Sequence, residues 1–407
     1  MRIGFIGLGK LGLPVAVTIS NAGFDVVGYD VNPAVKEYLT KRETPYREED
    51  LQPLLDRHRV EWRDSIREVV EDAGLIFVAV QTPHEPQFEG VTPLPDERRD
   101  FDYTYLVDAV RAVASASAEL GERRTLAVIS TCLPGTFNQF IKPLLNEYID
   151  YVYCPLFIAM GTVVRDYLLP EFNLIGVESE DAADLLEAFY THINDAPPVR
   201  TDVTTAEGIK VSYNTWITAK TVIANAWGEL CERVGMNFDD MFKAWTLAER
   251  RLISPAYMSA GMSDGGGCHP RDNIALSWLA DDVGMSFNLW EALMASREAY
   301  EKWHADVVIE AVEEHELPVV LLGRAFKPET DIETGSPAML MAELLRLEGV
   351  QFLHVNDAIP NQRAIYFIAT QNDRYRHYQF APGSVVIDPF GYIPDQEGVI
   401  VRRLGRR

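Results

Sequence analysis

The stretch that most constrains the fold is a glycine loop set between two short apolar segments near the amino terminus. Residues 3–6 are apolar, residues 7–12 have the pattern Gly-x-Gly-x-x-Gly, and residues 13–21 have helical character. A second apolar segment, residues 26–29, ends in Asp30. A strand, a glycine turn, a helix and a second strand in this order predict a βαβ unit that binds a dinucleotide. The chain is therefore expected to begin with a parallel, doubly wound sheet.

Each glycine of this loop has its own predicted role in a dinucleotide site. Gly7 forms the tight turn, Gly9 lets the backbone approach the pyrophosphate, and Gly12 lets the helix pack closely on the strand. Leu11, inside the loop, is assigned to the same cofactor site. Asp30 is expected to accept hydrogen bonds from the adenosine ribose, and its charge would repel a 2′-phosphate. NAD is therefore the predicted cofactor, in preference to NADP.

Two further loops follow predicted strands of the same sheet, residues 75–80 and 126–129. Thr82 and Thr131 lie in these loops, at strand ends where ligands bind in an open parallel sheet. Both are candidate contacts to a cofactor or substrate. A threonine beside proline or near glycine is equally typical of an ordinary turn, so both interpretations stay open. The charged, proline-rich residues 84–100 predict a surface loop.

A long helical pattern without proline covers residues 204–234. This length suits a connector between domains or a seam between subunits. Lys210 and Asn214 are one turn apart and lie on one face of that helix. They are either ordinary solvated side chains or a pair that orients a substrate hydroxyl and stabilises an oxyanion.

Cys268 follows a run of three glycines and precedes a predicted helix over residues 272–282, with Asp272 as its N-cap. A thiol at a helix N-terminus gains the thiolate character that makes it nucleophilic. A small buried cysteine in a loose glycine loop fits the local pattern equally well. The rest of the chain has to decide between the two interpretations.

The last third of the chain resumes the alternation of strands and helices. Apolar segments predict strands at residues 317–323, 352–355, 364–369 and 385–388. They indicate a second, smaller α/β domain. Phe326 and Lys327 lie in the loop after its first strand, where a ring and a point charge suit a nucleotide or sugar. A surface lysine is also ordinary in such a loop.

Composition opposes several classes of function. The net charge of -24 argues against binding to nucleic acid. No apolar run approaches the length of a membrane span. The four cysteines lack paired spacing, which is typical of free thiols in a reducing cytoplasm. No residue cluster has the spacing of metal ligands, so no metal is predicted.

Taken in order, these motifs resemble the UDP-glucose/GDP-mannose dehydrogenase family, the nucleotide-sugar 6-dehydrogenases. Besides the glycine fingerprint, the motifs are Ser130-Thr131 with Pro134-Gly135-Thr136, Ala206-Glu207-Gly208-Ile209-Lys210 with Asn214, the stretch from Gly265 to Asp272, and Phe326-Lys327-Pro328. The cysteine pattern already places the chain in the cytoplasm, and the resemblance implies a homodimer built from three domains. They are an NAD-binding Rossmann domain (residues 1–201), a central helical dimerisation domain with a long connecting helix (202–304) and a smaller Rossmann-like domain for the sugar nucleotide (305–407).

The resemblance also implies a reaction and assigns its residues. The C6 alcohol gives a hydride to NAD, Cys268 attacks the aldehyde, a second hydride transfer leaves a thioester, and water releases the uronic acid. The catalytic residues implied are Cys268, Lys210, Asn214, Asp272 and Thr131. Arg271, Thr82 and Thr131 join the glycine loop and Asp30 at the cofactor. The substrate residues implied are Phe157, Lys210, Asn214, Arg251, Tyr257, Phe326 and Lys327.

One departure from the family pattern leaves alternatives open. The family usually has glutamate directly before the phenylalanine at position 157, and this chain has Leu156. Glu207 and Asp272 are candidates to activate water in its place. A nucleotide-sugar oxidoreductase that stops at the aldehyde is one alternative, and a sugar-nucleotide-binding protein without catalysis is another. A short-substrate β-hydroxyacid dehydrogenase shares the Lys-x-x-x-Asn helix, but Cys268 and the second α/β domain argue against it.

Overall fold

The structure is a computed structural model of the 407-residue chain. It describes residues 1–83, 85, 88, 99–254, 256–266, 269–328 and 330–406. Cys268 lies outside these residues, as does most of the predicted loop over 84–100. The chain divides into two compact units, Met1–Ala219 and Lys220–Arg407. The three-domain division remains a prediction.

The first unit is built on an eight-stranded sheet. Its strands are β1 (Arg2–Ile6), β2 (Asp25–Tyr29), β3 (Val60–Trp62), β4 (Leu75–Val78), β5 (Arg124–Val128), β6 (Ile149–Tyr153), β7 (Asn173–Val177) and β8 (Pro198–Asp202). Their order is β3-β2-β1-β4-β5-β6-β7-β8, with β1 to β6 parallel and β7 antiparallel to β6. The direction of winding reverses between β1 and β4. Ligands of such sheets bind beyond the strand ends at this point.

Helices pack on both faces of this sheet. They are α1 (Gly12–Asn21), α2 (Ala34–Lys41), α3 (Leu51–Arg57), α4 (Ile66–Asp72), α5 (Thr104–Leu120), α6 (Val163–Leu168), α7 (Glu180–Tyr190) and α8 (Val203–Val234). Strands β4 and β5 are buried along their whole length, as expected for strands covered on two faces. On one face the rings of Phe5 and Phe77 stack with centroids 5.2 Å apart. Two apolar clusters, one on each face, form the core.

The long helix predicted over residues 204–234 is confirmed. Helix α8 has 32 residues and begins one residue earlier, at Val203. It starts directly after β8 and contains the boundary between the two compact units. Lys210 and Asn214 are therefore on a continuous helix, as their spacing predicted.

The second unit contains a parallel sheet of five strands. Its helices are α9 (Phe238–Thr246), α10 (His269–Asp282), α11 (Leu289–His315), α12 (Pro337–Leu347) and α13 (Asp373–His377). Its strands are β9 (Val319–Leu322), β10 (Phe352–Val355), β11 (Ile365–Ile368), β12 (Val385–Asp388) and β13 (Ile400–Arg403). The order is β10-β9-β11-β12-β13. A second, smaller Rossmann-like sheet after the first is the predicted fold class, which is confirmed.

The predicted start of the helix after Cys268 is wrong. Helix α10 begins at His269, so Asp272 lies in its first turn and is not the N-cap. Pro270 explains the earlier start, because proline lacks an N–H that the first turn would leave unpaired and its φ suits a helix. An acidic residue in the first turn still interacts favourably with the helix dipole.

Three properties concern the described residues only. None of the described helices combines the length and apolarity needed to cross a membrane. The described side chains include no group of three or more His, Cys, Asp or Glu residues that could hold a metal ion. Cys132, Cys154 and Cys231 are buried free thiols.

Candidate active site

The glycine loop between β1 and α1 is shaped by close backbone packing. Gly7 has φ of 92°, and a Cβ atom there would lie 2.7 Å from the carbonyl oxygen of Ala79. A Cβ atom on Gly12 would overlap the carbonyl oxygen of Gly7. On Gly9, by contrast, it would meet no atom within 4 Å. Gly7 and Gly12 are therefore required by the fold, whereas Gly9 leaves open space above the loop.

Asp30 connects the end of β2 to this loop. Its Oδ2 accepts a hydrogen bond from the backbone N–H of Leu8 at 2.7 Å, and its Oδ1 accepts one from Asn32 at 2.8 Å. The side chain remains partly exposed. Each carboxylate oxygen has a second lone pair, so the group is fixed in direction and can still accept from a ligand hydroxyl.

These residues fit a dinucleotide. Leu11 is the N-cap of α1 and makes no side-chain hydrogen bond to cap the helix. In the first turn of α1 the N–H of Leu13 bonds to the carbonyl oxygen of Gly9 at 3.0 Å, and the positive end of the helix dipole there favours an anion such as a pyrophosphate. Gly9 leaves room above the loop, and Asp30 provides the acceptor for a ribose.

The two candidate threonines lie together at the ends of neighbouring strands. The Thr82 hydroxyl donates a hydrogen bond to the carbonyl oxygen of Thr131 at 2.9 Å. The Ser130 hydroxyl donates to the carbonyl of Val80 at 2.6 Å and connects the same two loops. Strands β4 and β5 are paired in parallel beside β1. Thr82 and Thr131 therefore share the sheet edge with the glycine loop.

Lys210 reaches the loop that follows β6. Its Nζ donates a hydrogen bond to the carbonyl oxygen of Leu156 at 2.7 Å and lies 5.1 Å from the ring centroid of Phe157. Lys210 is only 8% exposed, and this burial lowers its pKa. The Phe157 ring packs against Phe172 and Tyr213 at centroid distances of 4.7 and 4.8 Å. Lys210 and Phe157, predicted separately, are thus in contact.

Asn214 lies one turn beyond Lys210 on α8 and is exposed. It is therefore accessible, while Lys210 is enclosed. The Leu156 side chain packs against the apolar core beneath the sheet edge. The loop after β6 thus presents a backbone oxygen to Lys210.

Glu207 has a role that the sequence analysis missed. Its two carboxylate oxygens accept hydrogen bonds from the backbone N–H groups of Gly135 and Phe137, each at 2.7 Å. Glu207 is 1% exposed, and burial raises its pKa against the opposing effect of these hydrogen bonds. It secures the loop after Thr131, and its burial keeps the carboxylate away from solvent water in this arrangement. Its position three residues before Lys210, on the same helix face, is the signal that could have indicated burial.

In the second unit, Phe326 lies against the glycine run that leads to Cys268. A Cβ atom on Gly265 would lie 2.9 Å from Cβ of Phe326. One on Gly266, which has φ of 89°, would lie 3.0 Å from the Phe326 ring. Lys327 is exposed, and its Nζ is 5.3 Å from the same ring. The predicted substrate residue Phe326 and the glycine run are therefore neighbours.

The other predicted residues of the second unit are more dispersed. Arg271 and Asp272 are exposed in the first turn of α10, with Nη2 and Oδ1 3.3 Å apart. Arg251 is exposed in the turn after α9. Tyr257 is 76% exposed and has φ of 64°, an uncommon conformation outside glycine. The described contacts join Arg271 to Asp272, and they do not join Arg251 or Tyr257 to either residue.

Comparison with protein-family models gives two matches. Residues 1–194 match the model described as UDP-glucose/GDP-mannose dehydrogenase family, NAD binding domain. Residues 204–298 match the central domain of the same family. The first match contains the glycine loop, Asp30 and both threonines.

Similar proteins and solved structures agree with these models. The GDP-mannose 6-dehydrogenase of Pseudomonas aeruginosa is 30% identical over 364 residues, which cover 86% of this chain and 80% of that protein. The UDP-glucose 6-dehydrogenase of Rickettsia bellii is 28% identical over 349 residues, which cover 83% of this chain and 77% of that protein. A ternary complex of GDP-mannose dehydrogenase from P. aeruginosa superposes with a TM-score of 0.89 at 25% identity, covering 98% of this chain and 99% of that chain. A UDP-glucose dehydrogenase from Pyrobaculum islandicum superposes with a TM-score of 0.56 at 27% identity, covering 98% of this chain and 96% of that chain.

Alanine at Gly12 should affect stability, whereas alanine at Gly9 should affect NAD binding. Gly12→Ala should lower the thermal unfolding midpoint, because its Cβ overlaps the backbone of Gly7. Gly9→Ala should unfold at the parent temperature but bind NAD more weakly, because the new methyl group occupies the space of the pyrophosphate. Differential scanning calorimetry and titration calorimetry measure the two effects. Undiminished NAD binding by Gly9→Ala would place the cofactor elsewhere.

Replacing Asp30 should change cofactor preference. Asp30→Ala should weaken NAD binding by about tenfold or more, because a charged acceptor is lost. It should also reduce discrimination against NADP. Asp25→Ala, at the exposed opposite end of β2, is the matched control and should bind both cofactors as the parent does. If the ratio of the dissociation constants for NAD and NADP is the same in both variants, Asp30 does not contact the ribose.

Proposed function

The chain belongs to the UDP-glucose/GDP-mannose dehydrogenase family, and on that premise we propose that it oxidises the C6 alcohol of a nucleotide-diphosphate sugar to the uronic acid. NAD, when bound, accepts the hydride removed at each of the two oxidations. The observation that most strongly supports the proposal is the buried Lys210 ammonium at the sheet edge shared with Thr82 and Thr131. A fixed positive charge there suits a reaction that develops negative charge on oxygen.

Cys268 is the proposed nucleophile. Its sulfur adds to the aldehyde carbon formed by the first oxidation, and the carbonyl oxygen takes up the proton, giving a thiohemiacetal. Loss of a hydride and a proton from this carbon and oxygen gives a thioester. Water then breaks the carbon–sulfur bond, which releases the acid and restores the thiol. The covalent bond retains the aldehyde between the two oxidations.

Lys210 and Asn214 are proposed to stabilise the oxygen that becomes negative in these steps. The Lys210 ammonium is held in one direction by the Leu156 carbonyl, so little reorganisation is needed when charge develops. Burial lowers the pKa of Lys210. Its charge is therefore lost at a lower pH than that of an exposed lysine as pH rises, and activity should fall on the alkaline side accordingly.

The remaining site residues are proposed in supporting roles. Thr131 and Asp272 would organise the water that attacks the thioester, and Arg271 would contact the cofactor. Phe157, Arg251, Tyr257, Phe326 and Lys327 would contact the sugar nucleotide. The relative with 30% identity and the structure with a TM-score of 0.89 both act on GDP-mannose by name. We therefore propose a GDP-linked hexose as the first substrate to test.

Release of the aldehyde is a second candidate outcome. The side chain at position 156 is a leucine packed into the core, and both carboxylate oxygens of Glu207 are bonded to backbone. Leucine has no basic group, and Glu207 is only 1% exposed, so neither side chain is placed to take a proton from the hydrolytic water. Slow hydrolysis would leave the thioester in place, and reversal of the second oxidation would return it to the thiohemiacetal, from which the aldehyde is released and the thiol restored.

A homodimer formed through the central helical domain is also proposed. Trp216 and Ile223 lie two turns apart on one side of α8 and are 49% and 44% exposed. Trp278 on α10 is 66% exposed. Large apolar side chains that are exposed on a helix are typical of protein interfaces.

The catalytic proposal is tested with Cys268→Ala and a panel of UDP-, GDP-, ADP- and dTDP-hexoses. The parent protein should reduce NAD with at least one of them and form its uronic acid, identified by mass spectrometry. Cys268→Ala should form no uronic acid because no covalent intermediate is available, while its dissociation constant for NAD stays within about twofold of the parent value. Normal uronate formation by the variant would rule out the covalent route, and an aldehyde as the parent's sole product would favour the second candidate.

The dimer proposal is tested by sedimentation. Trp216→Glu should lower the sedimenting mass from that of a dimer to that of a monomer, because a charge would be buried in an apolar interface. Tyr105→Glu is the control, since Tyr105 is an aromatic residue on α5, 54% exposed and outside the central domain. A parent protein that is monomeric at all concentrations would contradict the proposal.

A further inference from the structure

One face of helix α11 contacts the segment that leads to Cys268. Arg297, Tyr300 and Glu301 are spaced three and four residues apart, so they project on the same side of the helix. Each contacts a different part of residues 261–264, which follow α9 and precede the glycine run. Together these three side chains form what we call the α11 clamp.

The clamp binds mainly the backbone of this segment. The Tyr300 hydroxyl donates a hydrogen bond to the carbonyl oxygen of Gly261 at 3.0 Å. Arg297 donates from Nε to the carbonyl oxygen of Asp264 at 3.1 Å. Glu301 accepts from both the N–H and the hydroxyl of Ser263, at 2.8 and 2.5 Å. The path of the chain is therefore fixed at three of four consecutive residues.

Glu301 is itself fixed by a buried histidine. Its Oε2 lies 3.0 Å from Nδ1 of His304, and both residues are 0% exposed. A carboxylate can only accept, so Nδ1 must carry the proton. The His304 ring packs between Tyr300 and Phe367, with centroids at 4.5 and 5.5 Å. A buried carboxylate with these partners has one available orientation, which it imposes on Ser263.

The segment is enclosed on its other side as well. Arg297 also donates from Nη2 to the carbonyl oxygen of Gly335 at 3.0 Å. A Cβ atom on Gly335 would overlap the carbonyl oxygen of Gly266. Asp264 lies 3.4 Å from Arg297 Nε through Oδ1 and 3.8 Å from His269 Nδ1 through Oδ2. Asp264, which precedes Cys268, thus lies beside both Arg297 and His269, the residue that follows Cys268.

We propose that Glu301, with Tyr300 and Arg297, is a positioning residue that sets the location of the Cys268 sulfur for attack on the aldehyde. The inference depends on the proposed role of Cys268 as nucleophile. Attack requires the sulfur near the carbonyl carbon in the correct direction, and a displacement of about 1 Å can reduce the rate about a hundredfold. A clamp on the backbone four to seven residues before the cysteine restricts such displacement.

The test compares Glu301→Gln and Tyr300→Phe with Glu298→Gln. Glu298 is exposed on the same helix and is the matched control. The amide of Glu301→Gln has one acceptor oxygen and one donor group, so it cannot accept from both Ser263 and His304. Each purified variant is checked for folding by circular dichroism and for NAD binding by calorimetry. The kinetic readouts are kcat, KM for NAD and for the sugar nucleotide, and the rate of Cys268 alkylation by iodoacetamide from peptide mapping.

We expect Glu301→Gln to lower kcat by about tenfold or more and to leave both KM values within about twofold of the parent values. Tyr300→Phe should lower kcat to a smaller extent, again with little change in KM. The rate of Cys268 alkylation should change in both variants. The control Glu298→Gln should match the parent in every readout. A merely structural role would lower the folded fraction, which reduces apparent kcat at unchanged KM, so kcat is expressed per NAD-binding site counted by calorimetry. With kcat on that basis, a merely structural role predicts the parental value and an unchanged alkylation rate of Cys268. If Glu301→Gln does not fold, Tyr300→Phe decides by the same criteria.

Parental kcat in the folded clamp variants, or a raised KM at unchanged kcat, would overturn the inference. Cys268→Ser separates this failure from failure of the proposed function. If Cys268→Ser is inactive while the clamp variants are normal, only the positioning role is wrong. If Cys268→Ser turns over normally, the nucleophile itself is wrong, and the clamp inference is overturned with it.

Discussion

The close packing of helix α1 on strand β1 determines where chemistry can occur in the first unit. The absence of a side chain at Gly12 lets the helix approach the carbonyl of Gly7, and Asp30 then hydrogen-bonds to Leu8 of the same loop. This packing places the start of α1 at the carboxyl ends of the strands, beside the point between β1 and β4 where the strand order reverses. Thr82, Thr131 and the loop contacted by Lys210 follow adjacent strands at that edge. The first unit of this chain is thus organised around a steric constraint on one backbone contact.

Buried charged groups define the rest of the candidate site, and each is fixed by a small set of partners. Lys210 donates to one backbone carbonyl, Glu207 accepts from two backbone N–H groups, and Glu301 accepts from Ser263 and His304. Burial of a charge is unfavourable unless such partners compensate it. The consequence is that each group has a single orientation. Glu207 thereby holds the loop after Thr131, Glu301 holds the chain at Ser263, and the orientation of Lys210 is the basis of its proposed role at a substrate oxygen.

Features set by local sequence were predictable, and features set by distant contacts were not. The glycine fingerprint, the end of β2 at Asp30 and the whole of α8 follow from short-range patterns, and the structure has them. Strand β8 is an edge strand with four exposed residues and no apolar alternation, so its sequence gives no signal. The start of α10 depends on the tolerance of Pro270 in a first turn. The role of Glu207 depends on contacts with residues about seventy positions away, which no local pattern contains.

The most direct test of the central claim is a search for a covalent adduct on Cys268 during turnover. Cleavage after Arg251 and Arg271 gives a tryptic peptide that contains this cysteine. The reaction with NAD and an accepted sugar nucleotide is quenched in acid at successive times, and the peptide is analysed by mass spectrometry. The account predicts a transient mass increase equal to that of the sugar-nucleotide acyl group, located on Cys268. Uronic acid formation at the full rate with that peptide unmodified at every time would contradict it.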